Sequence, residues 1–103
     1  MAIRMMQDGK TIVLDPTNDA CLFSTYQPQG DNNSRWDEYY AHRSRSGKIY
    51  FYDRYTTLWQ GEFNSIRMLS VNEMKEILEG RAFTPDQEER ILKYIPDFFE
   101  EDA

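Results

Sequence analysis

The chain has 103 residues and a mass of 12.3 kDa; 40% of the residues are hydrophobic, 29% charged and 15% aromatic. This length supports one compact domain and is too short for two domains with independent cores. The single cysteine, Cys21, excludes an internal disulfide and a cysteine-based metal knuckle. Because no apolar run approaches the roughly 20 residues of a membrane-spanning helix, we expect a soluble protein of the reducing cytoplasm.

The formal net charge of −6 is distributed unevenly along the chain. Residues 35–69 carry six basic and four acidic side chains, whereas residues 70–103 carry four basic and ten acidic ones. A negative protein is a poor general binder of duplex DNA, since contacts between cations and phosphates supply most non-specific affinity. The positive middle of the chain still allows a local basic site.

The first part of the chain has the pattern of three β-strands. Strands predicted over 3–7 and 10–15 flank Asp8-Gly9, a dipeptide that suits the two positive φ angles of a type I′ hairpin turn. A third strand is predicted over 20–26. Residues 27–34 are turn formers without an apolar side chain, which predicts a long exposed loop.

A second hairpin is predicted around the turn Ser44-Arg45-Ser46-Gly47. Its register places Tyr40 opposite Tyr52 and brings together the opposite charges of Glu38 and Arg54. A one-residue slip would separate these charges, so the pair supports the register. A last strand is predicted over 65–69.

Two helices are predicted after this strand. Ser70 and Glu73 have the spacing of a capping box at the start of the first helix. Thr84 begins the second helix, with Pro85 at its first position, and this helix is expected to run to about Ile95. Both helices carry narrow apolar stripes that are suited to one face of a sheet.

These elements predict an α+β fold in one domain over residues 1–103. The β-rich part spans 1–69, the helical part 70–96 and a short acidic tail 97–103. We expect a mostly antiparallel sheet of five to six strands, including two hairpins, with two C-terminal helices packed on one face.

The inventory of catalytic residue types is small. His42 and Cys21 lie on different predicted strands, and no third group stands at a recognisable spacing from them. The aspartates near 15–19 and 31–33 do not have the ligand spacing of a calcium loop, and the glycines do not cluster into a phosphate-binding loop. We therefore predict a protein that is not an enzyme and that needs no cofactor or metal.

The segment 35–59 stands out because it interleaves eight aromatic side chains with basic ones. Such a segment either forms a recognition surface or fills a half-buried sheet with tyrosine. Under the first interpretation the aromatic side chains anchor a partner, and the cations bind its carboxylates or phosphates. The predicted binding residues are Tyr40, His42, Arg43, Arg45, Lys48, Tyr50 and Tyr52.

The sequence thus predicts a small acidic interaction or regulatory protein that binds a protein partner through the hairpin at 35–59. One alternative is binding of single-stranded nucleic acid by the same hairpin. A second alternative is acidic mimicry of nucleic acid by the C-terminal helices, which would inhibit a basic partner. Exposed strand edges also allow a homodimer, and no membrane partner is expected.

Overall fold

The computed structural model describes residues 2–26, 35–57 and 63–99, and within them the α+β fold class is confirmed. The predicted loop at 27–34, Trp59 and the end of the acidic tail lie outside the described residues. The strands are β1 (Ile3–Gln7), β2 (Lys10–Leu14), β3 (Ala20–Ser24), β4 (Arg35–Arg43), β5 (Ile49–Thr57) and β6 (Phe63–Leu69), and the helices are α1 (Val71–Leu78) and α2 (Pro85–Tyr94).

The described strands form two antiparallel sheets, whereas the sequence predicted one. β1 and β2 pair only with each other, and this N-terminal hairpin turns at Asp8 and Gly9 with φ angles of 52° and 76°, as predicted. β3, β4, β5 and β6 form a four-stranded sheet in chain order. The chain passes between the two sheets through a tight turn, in which the Asp15 carbonyl accepts a hydrogen bond from the Asp19 N–H at 2.7 Å.

The predicted register of β4 and β5 is confirmed. Tyr40 pairs with Tyr52 and Glu38 with Arg54, and the Arg54 Nη1 atom lies 3.5 Å from the Glu38 Oε1 atom. Gly47 closes the turn at a φ of 89°, which is costly for a residue that has a Cβ atom. The turn and the alternating pattern of side chains together determine which side chains of the hairpin share a face.

A β-bulge in β3 changes which side chains face the helices. The pairing of β3 with β4 shifts register between Cys21 and Phe23. Leu22 and Phe23 consequently both pack on the helix side of the sheet, while Cys21 packs on the opposite side.

Both helices begin with the capping boxes that the sequence predicts. The Ser70 hydroxyl accepts a hydrogen bond from the Glu73 N–H at 3.1 Å, and the Glu73 carboxylate accepts one from the Ser70 N–H at 2.9 Å. The bond from the Ser70 backbone lowers the pKa of Glu73. Thr84 and Gln87 make the equivalent pair of bonds at 3.2 and 2.8 Å. Within the described residues, no helix is long and apolar enough to cross a membrane.

The four-stranded sheet separates two groups of buried side chains. The helix core lies between this sheet and the two helices, and it contains Leu22, Tyr39, Ala41, Phe51, Leu69, Met74, Leu78, Ile91 and Ile95. The tyrosine core lies between the same sheet and the N-terminal hairpin, and it contains Ile12, Leu14, Tyr40 and Tyr52. The helices therefore pack on one face, as predicted, and the N-terminal hairpin covers the other face.

Candidate functional site

Two of the predicted binding residues, Tyr40 and Tyr52, belong to the tyrosine core. Their side chains are 5% and 0% exposed, and their rings stack with 5.1 Å between the centroids. Burial raises the pKa of Tyr40 to about 12 and also raises the pKa of Tyr52. The N-terminal hairpin covers both rings, so the structure places them in a core and not on an exposed surface.

The other five predicted binding residues lie together. They line a groove of about 610 Å³ between β2 of the N-terminal hairpin and the turn that joins β4 to β5. We call it the cationic groove. Its lining residues are Lys10, Thr11, Ile12, Val13, His42, Arg43, Ser44, Arg45, Ser46, Lys48 and Tyr50.

The cationic groove has a positive lining in a negatively charged protein. Lys10 lies at the start of β2, Arg43 at the end of β4, and Arg45 and Lys48 in the turn between β4 and β5. All four side chains are exposed, and none of the described lining residues is acidic. The Arg43 guanidinium lies over the Tyr94 ring on the helix side of the sheet, 5.6 Å from the ring centre. The Lys48 Nζ atom also lies 5.1 Å from the centre of the Tyr50 ring, within cation–π range. This arrangement is suited to binding an anion.

His42 is fixed in the groove by Asp19, which precedes β3. The Asp19 carboxylate accepts three hydrogen bonds of 2.8 Å, from the His42 ring, the Tyr52 hydroxyl and the Asp15 backbone N–H. A carboxylate only accepts hydrogen bonds, so the His42 Nδ1 atom is the donor and carries a proton. Nε2 is then the ring nitrogen that a ligand in the groove can contact.

Asp19 and Lys10 are members of the site that the sequence patterns do not indicate. The aspartates near 15–19 were considered only as calcium ligands, and the histidine partner of Asp19 lies 23 positions further along the chain. Lys10 reaches the groove only because the N-terminal hairpin packs across the sheet. One signal in the sequence is that the apolar residues Ile12 and Leu14 lie on the same face of β2. Both side chains are buried, so another part of the chain must supply the apolar surface that covers them.

Cys21 does not have the environment of a nucleophile. Its thiol donates a hydrogen bond to the Phe23 carbonyl at 3.6 Å, and burial raises its pKa. The protonated thiol is therefore the stable form at neutral pH, and a thiol is a much weaker nucleophile than a thiolate.

Alkylation of Cys21 by a maleimide is expected to be severalfold slower in the native protein at pH 8 than in the protein unfolded by urea, because burial limits both the thiolate and access to it. The rate is measured by mass spectrometry, with the free amino acid cysteine in the same urea concentration as the control. Equal rates in the native and unfolded protein would contradict the burial of this thiol.

The acidic charge of α2 is interrupted by basic residues. Asp86, Glu88 and Glu89 are exposed on this helix, but Arg90 and Lys93 are exposed beside them. Mimicry of nucleic acid needs a uniformly negative face, and the surface of α2 instead carries charges of both signs. The described lining of the groove is more uniform in charge.

The described residues contain no group of three or more histidine, cysteine, aspartate or glutamate side chains that could hold a metal ion. Comparisons with models of protein families, with curated proteins and with solved structures find no match to this chain. The argument for function therefore rests on the chemistry of the groove.

Proposed function

We propose that this protein is a non-catalytic interaction module of the cytoplasm whose cationic groove binds an anionic segment of a protein partner. The observation that carries the proposal is the convergence of Lys10, Arg45 and Lys48 on one groove whose described lining residues include no acidic side chain. Such an arrangement attracts a partner of opposite charge and repels one of like charge.

The aromatic residues of the β4–β5 hairpin then have two different roles. Tyr50 is half-buried and lines the groove, so its ring contacts the bound segment. Tyr40 and Tyr52 hold the N-terminal hairpin, which forms one wall of the groove. Binding of single-stranded nucleic acid usually needs several rings on which successive bases stack. The burial of Tyr40 and Tyr52 therefore favours a protein partner.

The proposal is tested with the double variant Arg43→Ala and Arg45→Ala. The control variant is Arg4→Ala with Lys93→Ala, which removes the same charge from exposed residues outside the groove. Each immobilised protein is incubated with a lysate of its source cells, with and without nuclease. We expect the wild type and the control to retain a specific protein, and the groove variant to retain about tenfold less of it.

Three results would overturn the proposal. Equal recovery of the same partner by the groove variant and the control would remove the groove from the interface. Loss of that partner only with Glu88→Lys and Glu89→Lys would place binding on the acidic helices. Recovery of nucleic acid in place of protein would support the single-stranded nucleic-acid alternative.

A homodimer is a separate proposal, based on the edge strands β3 and β6. It is tested by analytical sedimentation of the purified chain.

A further inference from the structure

We infer that the anionic group bound in the cationic groove is the phosphate of a phosphorylated serine or threonine of the partner, and that His42 contacts this phosphate through its Nε2 atom. The inference rests on the proposed function, because it names the chemistry that the same groove recognises.

The number of donors in the groove exceeds what one carboxylate can use. A carboxylate brings one negative charge and two oxygens, whereas a phosphate monoester brings nearly two charges and three terminal oxygens. The groove offers the cationic side chains of Lys10, Arg45 and Lys48 from two separate layers of the fold, and Ser44 and Ser46 also line it. The Arg43 guanidinium instead lies over the Tyr94 ring, 5.6 Å from its centre. A guanidinium group such as that of Arg45 binds phosphate through paired hydrogen bonds.

His42 adds a contact whose direction is fixed in advance. Its side chain is 16% exposed, and the 2.8 Å bond to Asp19 holds the ring by Nδ1. The Tyr52 hydroxyl and the Asp15 N–H hold Asp19 in turn. Because these bonds hold the ring, little further ordering of it is needed when an anion binds.

The contact from His42 depends on a proton. With Nδ1 protonated for Asp19, the neutral ring presents a lone pair at Nε2, which does not attract a phosphate oxygen. The ring donates a hydrogen bond from Nε2 only when it carries a proton on both nitrogens, and a bound anion stabilises that charged form.

The size of the groove is suited to a side chain together with its backbone. A volume of about 610 Å³ lies within the range of ligand pockets and is larger than a free phosphate ion requires. Of the aromatic side chains in the described residues, only Tyr50 lines the groove. The described lining thus offers a phosphate site with room for a peptide, and it does not contain the series of rings that a nucleic-acid strand uses.

The first experiment compares three blocked pentapeptides, each with glycine at the four outer positions and phosphoserine, glutamate or serine at the centre. Each is titrated into ¹⁵N-labelled protein at pH 7.5 and low ionic strength. We expect the phosphoserine peptide to bind about tenfold more tightly than the glutamate peptide and to shift the amide signals of residues 10–13 and 42–50. Equal affinities, or shifts confined to other residues, would overturn the inference.

The second experiment isolates Nε2 with two variants. His42→Asn retains an amide donor near the Nδ1 position, and thus the bond to Asp19, but removes Nε2. His42→Gln places a neutral donor near the Nε2 position. The phosphoserine peptide is the probe, at the pH of the first experiment. We expect both variants to bind it severalfold more weakly than the wild type does. Equal affinities of both variants and the wild type would overturn the role of His42.

The two proposals fail in distinguishable ways. If Arg43→Ala with Arg45→Ala loses the protein partner while phosphoserine and glutamate peptides bind equally, the proposed function stands and the phosphate inference is wrong. If the partner remains bound to that variant, the proposed function itself is wrong, whatever the peptides do. Amide spectra of all variants are recorded first, and only variants with the wild-type dispersion are compared.

Discussion

Replacement of Leu14 by alanine is expected to lower the free energy of unfolding by about 2–5 kcal/mol. Leu14 has no exposed side-chain surface and packs in the tyrosine core with Tyr40 and Tyr52. Truncation removes buried apolar surface and leaves a cavity that the stacked tyrosine rings cannot readily fill. The loss is large beside the 5–15 kcal/mol that stabilises a typical domain. Urea denaturation followed by circular dichroism measures it.

The matched control is Val13→Ala on the same strand. Val13 is 47% exposed and points to the opposite face of the N-terminal hairpin. Its truncation is expected to cost below about 1 kcal/mol, mostly through lower β-propensity. If both variants lose stability equally, the N-terminal hairpin does not cover the sheet through Leu14.

Replacement of Ile91 by alanine is the second substitution with a large expected effect, again about 2–5 kcal/mol. Ile91 is fully buried in the helix core, and it is the buried side chain through which α2 packs on that core. Short helices gain most of their stability from such packing, because a helix of this length is marginal on its own in water. We therefore expect loss of helical signal at lower urea concentration.

Leu92→Ala is the control for this substitution. Leu92 follows Ile91 directly but is 40% exposed, and alanine has the higher helix propensity. A cost below about 1 kcal/mol is expected. A loss for Leu92→Ala as large as that for Ile91→Ala would show that α2 presents a different face to the sheet.

Local signals in the sequence were sufficient for the individual elements. The Asp8-Gly9 turn, the Ser70 and Thr84 caps and the glycine at position 47 all act over a few residues, and each appears where it was predicted. The pairing of Glu38 with Arg54 was also predictable from the sequence, because the turn determines the register of the two strands that flank it.

The packing of the elements against one another could not be predicted from such local signals. The contact of the N-terminal hairpin with Tyr40 and Tyr52 joins residues that are far apart in sequence, and no spacing rule links them. An aromatic side chain in a strand satisfies the pattern of an exposed surface and of a core equally well. The same limit applies to Asp19 and His42, whose contact exists only after the turn at 16–19 has reversed the chain.

The double covering of the four-stranded sheet has a consequence for recognition. β4 and β5 give alternate side chains to the tyrosine core and to the helix core, so the middle of this sheet faces protein on both sides. A partner can then approach the sheet only along its outer strands or at the ends of its strands. At one of those ends the turn between β4 and β5 meets the N-terminal hairpin. Under the proposed function, a change of the exposed side chains in this turn is expected to alter binding without disturbing either core.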